Sequence, residues 1–104
     1  MREIDVETFG DAWADGATVV DVREGHEFEQ AHVPGALWIP LGELATRSAE
    51  VPEADVVYVI CASGNRSLFG ADIFASAGRR AVSVAGGTGA WLRSGRPGER
   101  GGVR

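Results

Sequence analysis

Cys61 is the only cysteine in the 104-residue chain. A lone thiol cannot close an intramolecular disulfide, which excludes a disulfide-stapled scaffold and leaves no internal thiol to resolve an oxidised or sulfur-loaded Cys61. Lysine is missing altogether: all ten basic residues are arginines, set against fifteen acidic ones. A bias in the coding DNA accounts for that more simply than any function. The net charge of −5 excludes non-specific nucleic-acid binding, which needs a basic surface.

Long apolar runs are also lacking, and the N-terminal Met1-Arg2-Glu3-Ile4-Asp5 has no apolar core of the kind a signal peptide carries. The expectation is a soluble, cytoplasmic protein with no membrane partner. No internal repeat is present. The length suits one three-layer core and not two. We therefore expect a single domain over residues 1–96 and a flexible glycine- and arginine-rich tail over 97–104.

What is present centres on Cys61-Ala62-Ser63-Gly64-Asn65-Arg66-Ser67. The β-branched and aromatic run Val56-Val57-Tyr58-Val59-Ile60 before it reads as a buried strand, and Leu68 to Ala77 after it as a helix. Cys61 thus falls at the carboxyl end of a strand, where open α/β sheets place their ligands. The short loop contains Gly64 and brings several backbone N–H groups to one point before a helix N-terminus, a cradle for an anion. A thiolate at its start has its pKa lowered, and Arg66 is expected to add a positive charge beside it. A small buried core residue is the competing reading of Cys61.

The rest of the chain alternates helix and strand patterns. Asp5 can cap a helix to about Asp15, with Val6, Phe9 and Trp13 inward and Gly16 closing it. Thr18 to Val22 reads as a strand, Ala36 to Ile39 as a short one, and Leu41 to about Ser48 as a helical segment with Leu41, Leu44 and Ala45 toward the core. Ala49 to Asp55 is an acidic connector. Leu68, Phe69, Ala71, Ile73, Phe74, Ala75 and Ala77 make the helix after the loop apolar on most sides, as if packed between the sheet and its neighbours. Ala81 to Val84 is the last strand. This order is the signature of an α/β fold with a mostly parallel sheet.

Cys-x-x-Gly-x-Arg-Ser resembles the active-site loop of single-domain rhodanese-like proteins. Two further stretches are similar to that family's signatures: Asp21-Val22-Arg23-Glu24 with Glu27-Phe28 and His32-Val33-Pro34-Gly35-Ala36, and Gly86-Gly87-Thr88-Gly89-Ala90-Trp91. Ala31 departs from the pattern, standing where a glycine usually precedes the histidine. The resemblance implies a three-layer α/β fold with a central, mostly parallel five-stranded sheet flanked by helices. It also implies sulfurtransferase chemistry, in which Cys61 takes sulfur from a donor such as thiosulfate and passes it to cyanide or a thiol, a protein thiol among them.

On that basis the catalytic residue is Cys61, and Ala62, Ser63, Gly64, Asn65, Arg66 and Ser67 stabilise the anionic donor and the persulfide. Asp21 and Arg23 pair at the end of their strand and hold neighbouring loops. His32 is assigned to bracing the Pro34-Gly35 turn in preference to acting as a base. No metal or organic cofactor is required. Two rivals remain: a non-catalytic binding module of the same fold, and a cysteine-dependent phosphatase or arsenate reductase. The related phosphatase loop has five residues between cysteine and arginine, whereas Ala62 to Asn65 make four.

Overall fold

The computed structural model describes residues 2–102. Five strands, β1 (Glu3–Ile4), β2 (Thr18–Asp21), β3 (Leu37–Trp38), β4 (Val57–Ile60) and β5 (Ala81–Val84), form one sheet in the order β1-β5-β4-β2-β3. All four pairings are parallel. The α-helices are α1 (Val6–Ala14), α2 (Gly25–Gln30), α3 (Leu44–Arg47), α4 (Asn65–Ser76) and α5 (Gly87–Arg93), with single 3-10 turns on either side of α3. The expected five-stranded α/β architecture is the one observed.

Strand alternation sorts the core into two layers. On one face, Val20, Val22, Val57, Val59 and Cys61 pack with Leu44, Ala71 and Phe74 of α3 and α4. On the other, Val19, Ile60 and Val84 pack with Phe9 of α1 and Trp91 of α5. Cys61 therefore continues the row of Val57 and Val59 and faces α4. Gly70 lets α4 press onto that row, since a Cβ there would lie 2.8 Å from Val59 Cγ1.

Several local expectations need correction. Ala45 is exposed, and α4 is not buried on most sides: Phe69 is 66% exposed, and Ala75 and Ala77 also face solvent. The reason is that α4 meets the sheet along one stripe, Ser67, Gly70, Ala71 and Phe74, and none of the described residues covers the opposite side. Strand β1 went unread because two residues show no alternation. It is held by register, with the Ser83 N–H donating to Arg2 O and the Ala85 N–H to Ile4 O at 2.7 and 2.8 Å.

Residues 97–102, the described part of the segment expected as a flexible tail, lie back on the domain. His32 and Glu99 exchange two backbone hydrogen bonds of 2.8 Å, the Gly101 N–H reaches Glu29 O at 2.7 Å, and the Trp91 indole donates to Pro97 O at 2.6 Å. Residues 103 and 104 lie outside the described residues. Among the described residues, no helix is long and apolar enough to cross a membrane.

Candidate active site

The parallel sheet brings the carboxyl ends of β2, β4 and β5 to one edge, with β4 between the other two. Cys61 follows β4 directly and is 1% exposed. Its sulfur accepts hydrogen bonds from the N–H groups of Gly64 at 3.1 Å and Ser67 at 3.3 Å, and lies 3.3 Å from Ser67 Oγ. Burial pushes the thiol up. The Ser67 hydroxyl and the N–H groups of Ser67, Gly64 and Ser63 pull it down further, so the net displacement is below the ordinary thiol value.

Two glycines make that curl of chain possible. Gly64 has φ +109°, a left-handed conformation that turns the loop into the start of α4. Gly87, at φ +56°, lies so close to the loop that a Cβ would collide with the Cys61 carbonyl oxygen. The start of α5 then closes the loop from outside: the Thr88 N–H donates to Cys61 O at 2.8 Å and the Gly89 N–H to Ala62 O at 3.1 Å. With those carbonyls occupied behind it, the loop presents its N–H groups to the sulfur.

Arg66 has a partner that the sequence did not suggest. Its guanidinium forks onto Glu27 of α2, Nη1 to Oε1 at 2.7 Å and Nη2 to Oε2 at 2.9 Å. The hydrogen bonds from Arg66 hold the Glu27 carboxyl down to about 2, and Glu27 in turn raises Arg66. Hydrogen-bond donors of the loop lower the sulfur's pKa, while Arg66 also feels the sulfur's charge through space. Glu27 is thus a residue of the site that sequence reasoning passed over. Its signal was its place in the Asp21-to-Ala36 stretch, four residues after Arg23 on a short polar helix, which does not disclose a role because its partner lies 39 residues away.

Asp21 and Arg23 are brought together as expected, and both are buried. Arg23 Nε and Nη2 reach Asp21 Oδ1 and Oδ2 at 3.0 and 2.9 Å, and Nη2 also donates to Ala31 O at 2.7 Å. The pair ties the end of β2 to the end of α2, which carries Glu27. His32 is buried beside it. Nδ1 lies 2.8 Å from Phe28 O, the ring stacks on Phe28 at 3.7 Å, and Nε2 is 3.6 Å from Glu99 Oε1. The ring therefore engages α2 and the returning chain and not the Pro34-Gly35 turn expected from the sequence, where the Trp13 indole donates to Pro34 O at 2.8 Å.

Of the remaining loop residues, Ser63 and Asn65 are exposed and Ala62 is half-buried, so small side chains surround the mouth. A cavity of about 230 Å³ lies beside it, lined by Arg23, Glu27, Ala31, Ala62, Thr88 and Leu92 among others. Ser83 is a second residue that the sequence reading missed; its Oγ lies 2.6 Å from Ser67 Oγ. The available signal was a hydroxyl in an otherwise apolar strand. Among the described residues, no group of three or more His, Cys, Asp or Glu is placed to hold a metal ion.

This combination of topology and loop has counterparts among known proteins. The chain is 34% identical over 100 residues to a sulfurtransferase of Allochromatium vinosum, covering 93% of this chain and 94% of that protein. It is 42% identical over 74 residues to a Bacillus subtilis protein named as a sulfur carrier, YrkF, of which the match spans only 40%, against 70% of this chain. The crystal structure of a thiosulfate sulfurtransferase from Pseudomonas aeruginosa superposes with a TM-score of 0.87 at 26% identity, over all of this chain and 21% of that one. The model of the rhodanese-like domain matches residues 6–94, which include the Asp21–Arg23 pair, the Cys61 loop and the Gly86-Gly87 turn, and the chain belongs to that family.

Proposed function

We propose that the protein moves sulfane sulfur through a Cys61 persulfide. The observation that carries this reading is the sulfur of Cys61 held at the end of β4 by the N–H groups of Gly64 and Ser67 and by the Ser67 hydroxyl. Such a cradle favours a thiolate and supports negative charge at the same point after transfer. In the first step the Cys61 thiolate attacks the outer sulfur of thiosulfate. A Cys61 S–S bond forms, the bond between the two donor sulfurs breaks, and sulfite leaves with the electron pair.

In the second step cyanide or a thiolate attacks the terminal sulfur. Cyanide leaves as thiocyanate and the Cys61 thiolate is restored. No net oxidation and no cofactor is needed. A thiol acceptor leaves instead as its own persulfide, to be resolved elsewhere, in keeping with the single cysteine of this chain. The cavity between Ala62, Glu27 and Leu92 offers the acceptor an approach.

Intact-mass measurement after incubation with thiosulfate tests the reading. The expected result is a gain of one sulfur on the wild-type protein that cyanide removes, and no gain on Cys61→Ser with the fold retained. A sulfur gain on Cys61→Ser, or none on the wild type with several sulfane donors, would overturn it.

A further inference from the structure

Behind the reacting sulfur lies a hydroxyl with no role in the steps above. Ser83 is fully buried in β5, beside Val59 in the parallel register. Alternation from Ala81, which packs into the α4 layer, turns Ser83 to the same side as Cys61. Its Oγ lies 2.6 Å from Ser67 Oγ and 3.5 Å from the Gly64 carbonyl oxygen. Ser67 Oγ in turn lies 3.3 Å from Cys61 Sγ. The two serines thus form a chain from the sulfur back to a carbonyl of the same loop.

Each hydroxyl has one proton to donate, and counting them gives two complete arrangements. In the first, Ser83 donates to Ser67 Oγ and Ser67 donates to Sγ, which suits a thiolate. In the second, the thiol S–H points to Ser67 Oγ, Ser67 donates to Ser83 Oγ, and Ser83 donates to Gly64 O, which suits the neutral thiol. Moving between them takes two hydroxyl rotations and no proton transfer between residues. Neither state leaves a buried hydroxyl proton unplaced.

We propose that Ser83 is a positioning residue for the reacting sulfur, holding the Ser67 hydroxyl on Cys61 through a hydrogen-bonded chain that reverses direction as the sulfur gains or loses charge. The proposal rests on the sulfur-carrier reading only for the identity of the reacting atom. Removing Ser83 costs the thiolate arrangement one hydrogen bond and the thiol arrangement two, and it leaves the Ser67 hydroxyl of the thiol arrangement without its acceptor. The bond lost from the thiolate arrangement joins two neutral hydroxyls, and its charge-assisted bond from Ser67 to Sγ survives, so the balance shifts toward the thiolate.

The charged groups near Cys61 are Arg66 on its own loop, paired with Glu27 of α2, and the Asp21–Arg23 pair at the end of β2. Strand β5 carries no titratable side chain, and α5 meets the loop through the N–H groups of Thr88 and Gly89, with the Arg93 guanidinium lying over Gly89. Substitution of Ser83 therefore changes the hydroxyl chain and leaves the ionic surroundings in place.

The experiment is the pH profile of Cys61 alkylation by iodoacetamide, read on the folded protein without any sulfur donor, so that its outcome does not depend on whether sulfur transfer occurs. Ser83→Ala, which removes one oxygen and no carbon, should lower the apparent pKa and speed alkylation about three- to tenfold at pH values below the wild-type value. In a Ser67→Ala background the same substitution should shift nothing further, because the link to the sulfur is already gone. Ser83→Thr, which keeps the hydroxyl, should restore the wild-type profile. A Ser83→Ala profile that overlays the wild type or moves to higher pH would overturn the proposal. So would an equal shift in the Ser67→Ala background, which would show Ser83 acting through general packing.

Discussion

Arg66 and Glu27 face each other as a two-pronged ion pair at 2.7 and 2.9 Å, joining the Cys61 loop to α2 across 39 residues of chain. The arginine of the loop is thereby a tether as well as a charge. Removing either partner leaves the other alone at the mouth of the site, and the two losses should differ in sign of charge.

Arg66→Ala leaves the Glu27 carboxylate unpaired where a dianionic donor must approach. The loss of a charge-assisted contact and the new repulsion together should lower kcat/KM for thiosulfate about a hundredfold. Adding Glu27→Gln to that variant removes the repulsion and should recover about tenfold. The check is a double-mutant cycle on steady-state kinetics. Independent, multiplying losses would mean that the pair does not act as a unit.

The same contact should be visible in stability against pH. The folded-state carboxyl of Glu27 is held at about 2, below its ordinary 4.5, so its contribution is complete above the unfolded value and is lost as pH falls through the interval toward 2. The pair is partly open to solvent, with Arg66 36% exposed, which keeps that contribution small. Thermal midpoints of wild type and Glu27→Gln should differ at pH 6 and converge by about pH 2. Other carboxylates, including Asp5, also titrate low. Only the difference between the two proteins isolates Glu27.

Gly87 offers a purely steric test of how the loop is supported. A methyl group there meets the Cys61 carbonyl and has to adopt φ +56°, two costs in one substitution. Gly87→Ala should destabilise the protein by about 2–4 kcal/mol and disturb the loop that holds the sulfur. Gly16→Ala shares the left-handed conformation, at φ +86°, but has nothing within 4 Å, and should cost about 1 kcal/mol with sulfur loading intact. Denaturation midpoints and intact-mass loading of the two variants make the comparison.

The contrast between these residues also explains what the chain discloses when read as a string. The loop from Cys61 to Ser67 is legible because its chemistry is local: strand, glycine turn and helix start follow one another, and the sulfur's N–H donors lie within six residues. Asp21 and Arg23, two apart, are legible for the same reason. Glu27 and Ser83 are not, since the first acquires meaning only when α2 is laid against the Cys61 loop, and the second only when β5 is paired with β4. Phe69 and Ala45 misled because apolar character does not reveal which side of a helix the sheet covers. Strand β1 is two residues long and is defined by its partner β5 alone.

On the proposed reading, loop length separates sulfur transfer from phosphate chemistry, and a single inserted residue tests it. A glycine placed after Asn65 moves Arg66 and Ser67 one position along the chain. Ser67 supplies both an N–H and a hydroxyl to the sulfur, and Arg66 anchors the loop to Glu27, so the insertion displaces three contacts at once. Donors moved by about 1 Å forfeit much of their stabilisation of a reacting anion, and sulfur loading should fall at least about a hundredfold. The native loop, with four residues between Cys61 and Arg66 and its arginine already committed to Glu27, should show no hydrolysis of an aryl phosphate. The inserted ring is wide enough to approach a tetrahedral oxyanion, so weak phosphatase activity in the variant is consistent with the argument. Hydrolysis by the native protein that disappears in Cys61→Ser is not, and would transfer the thiolate from sulfur chemistry to phosphate chemistry.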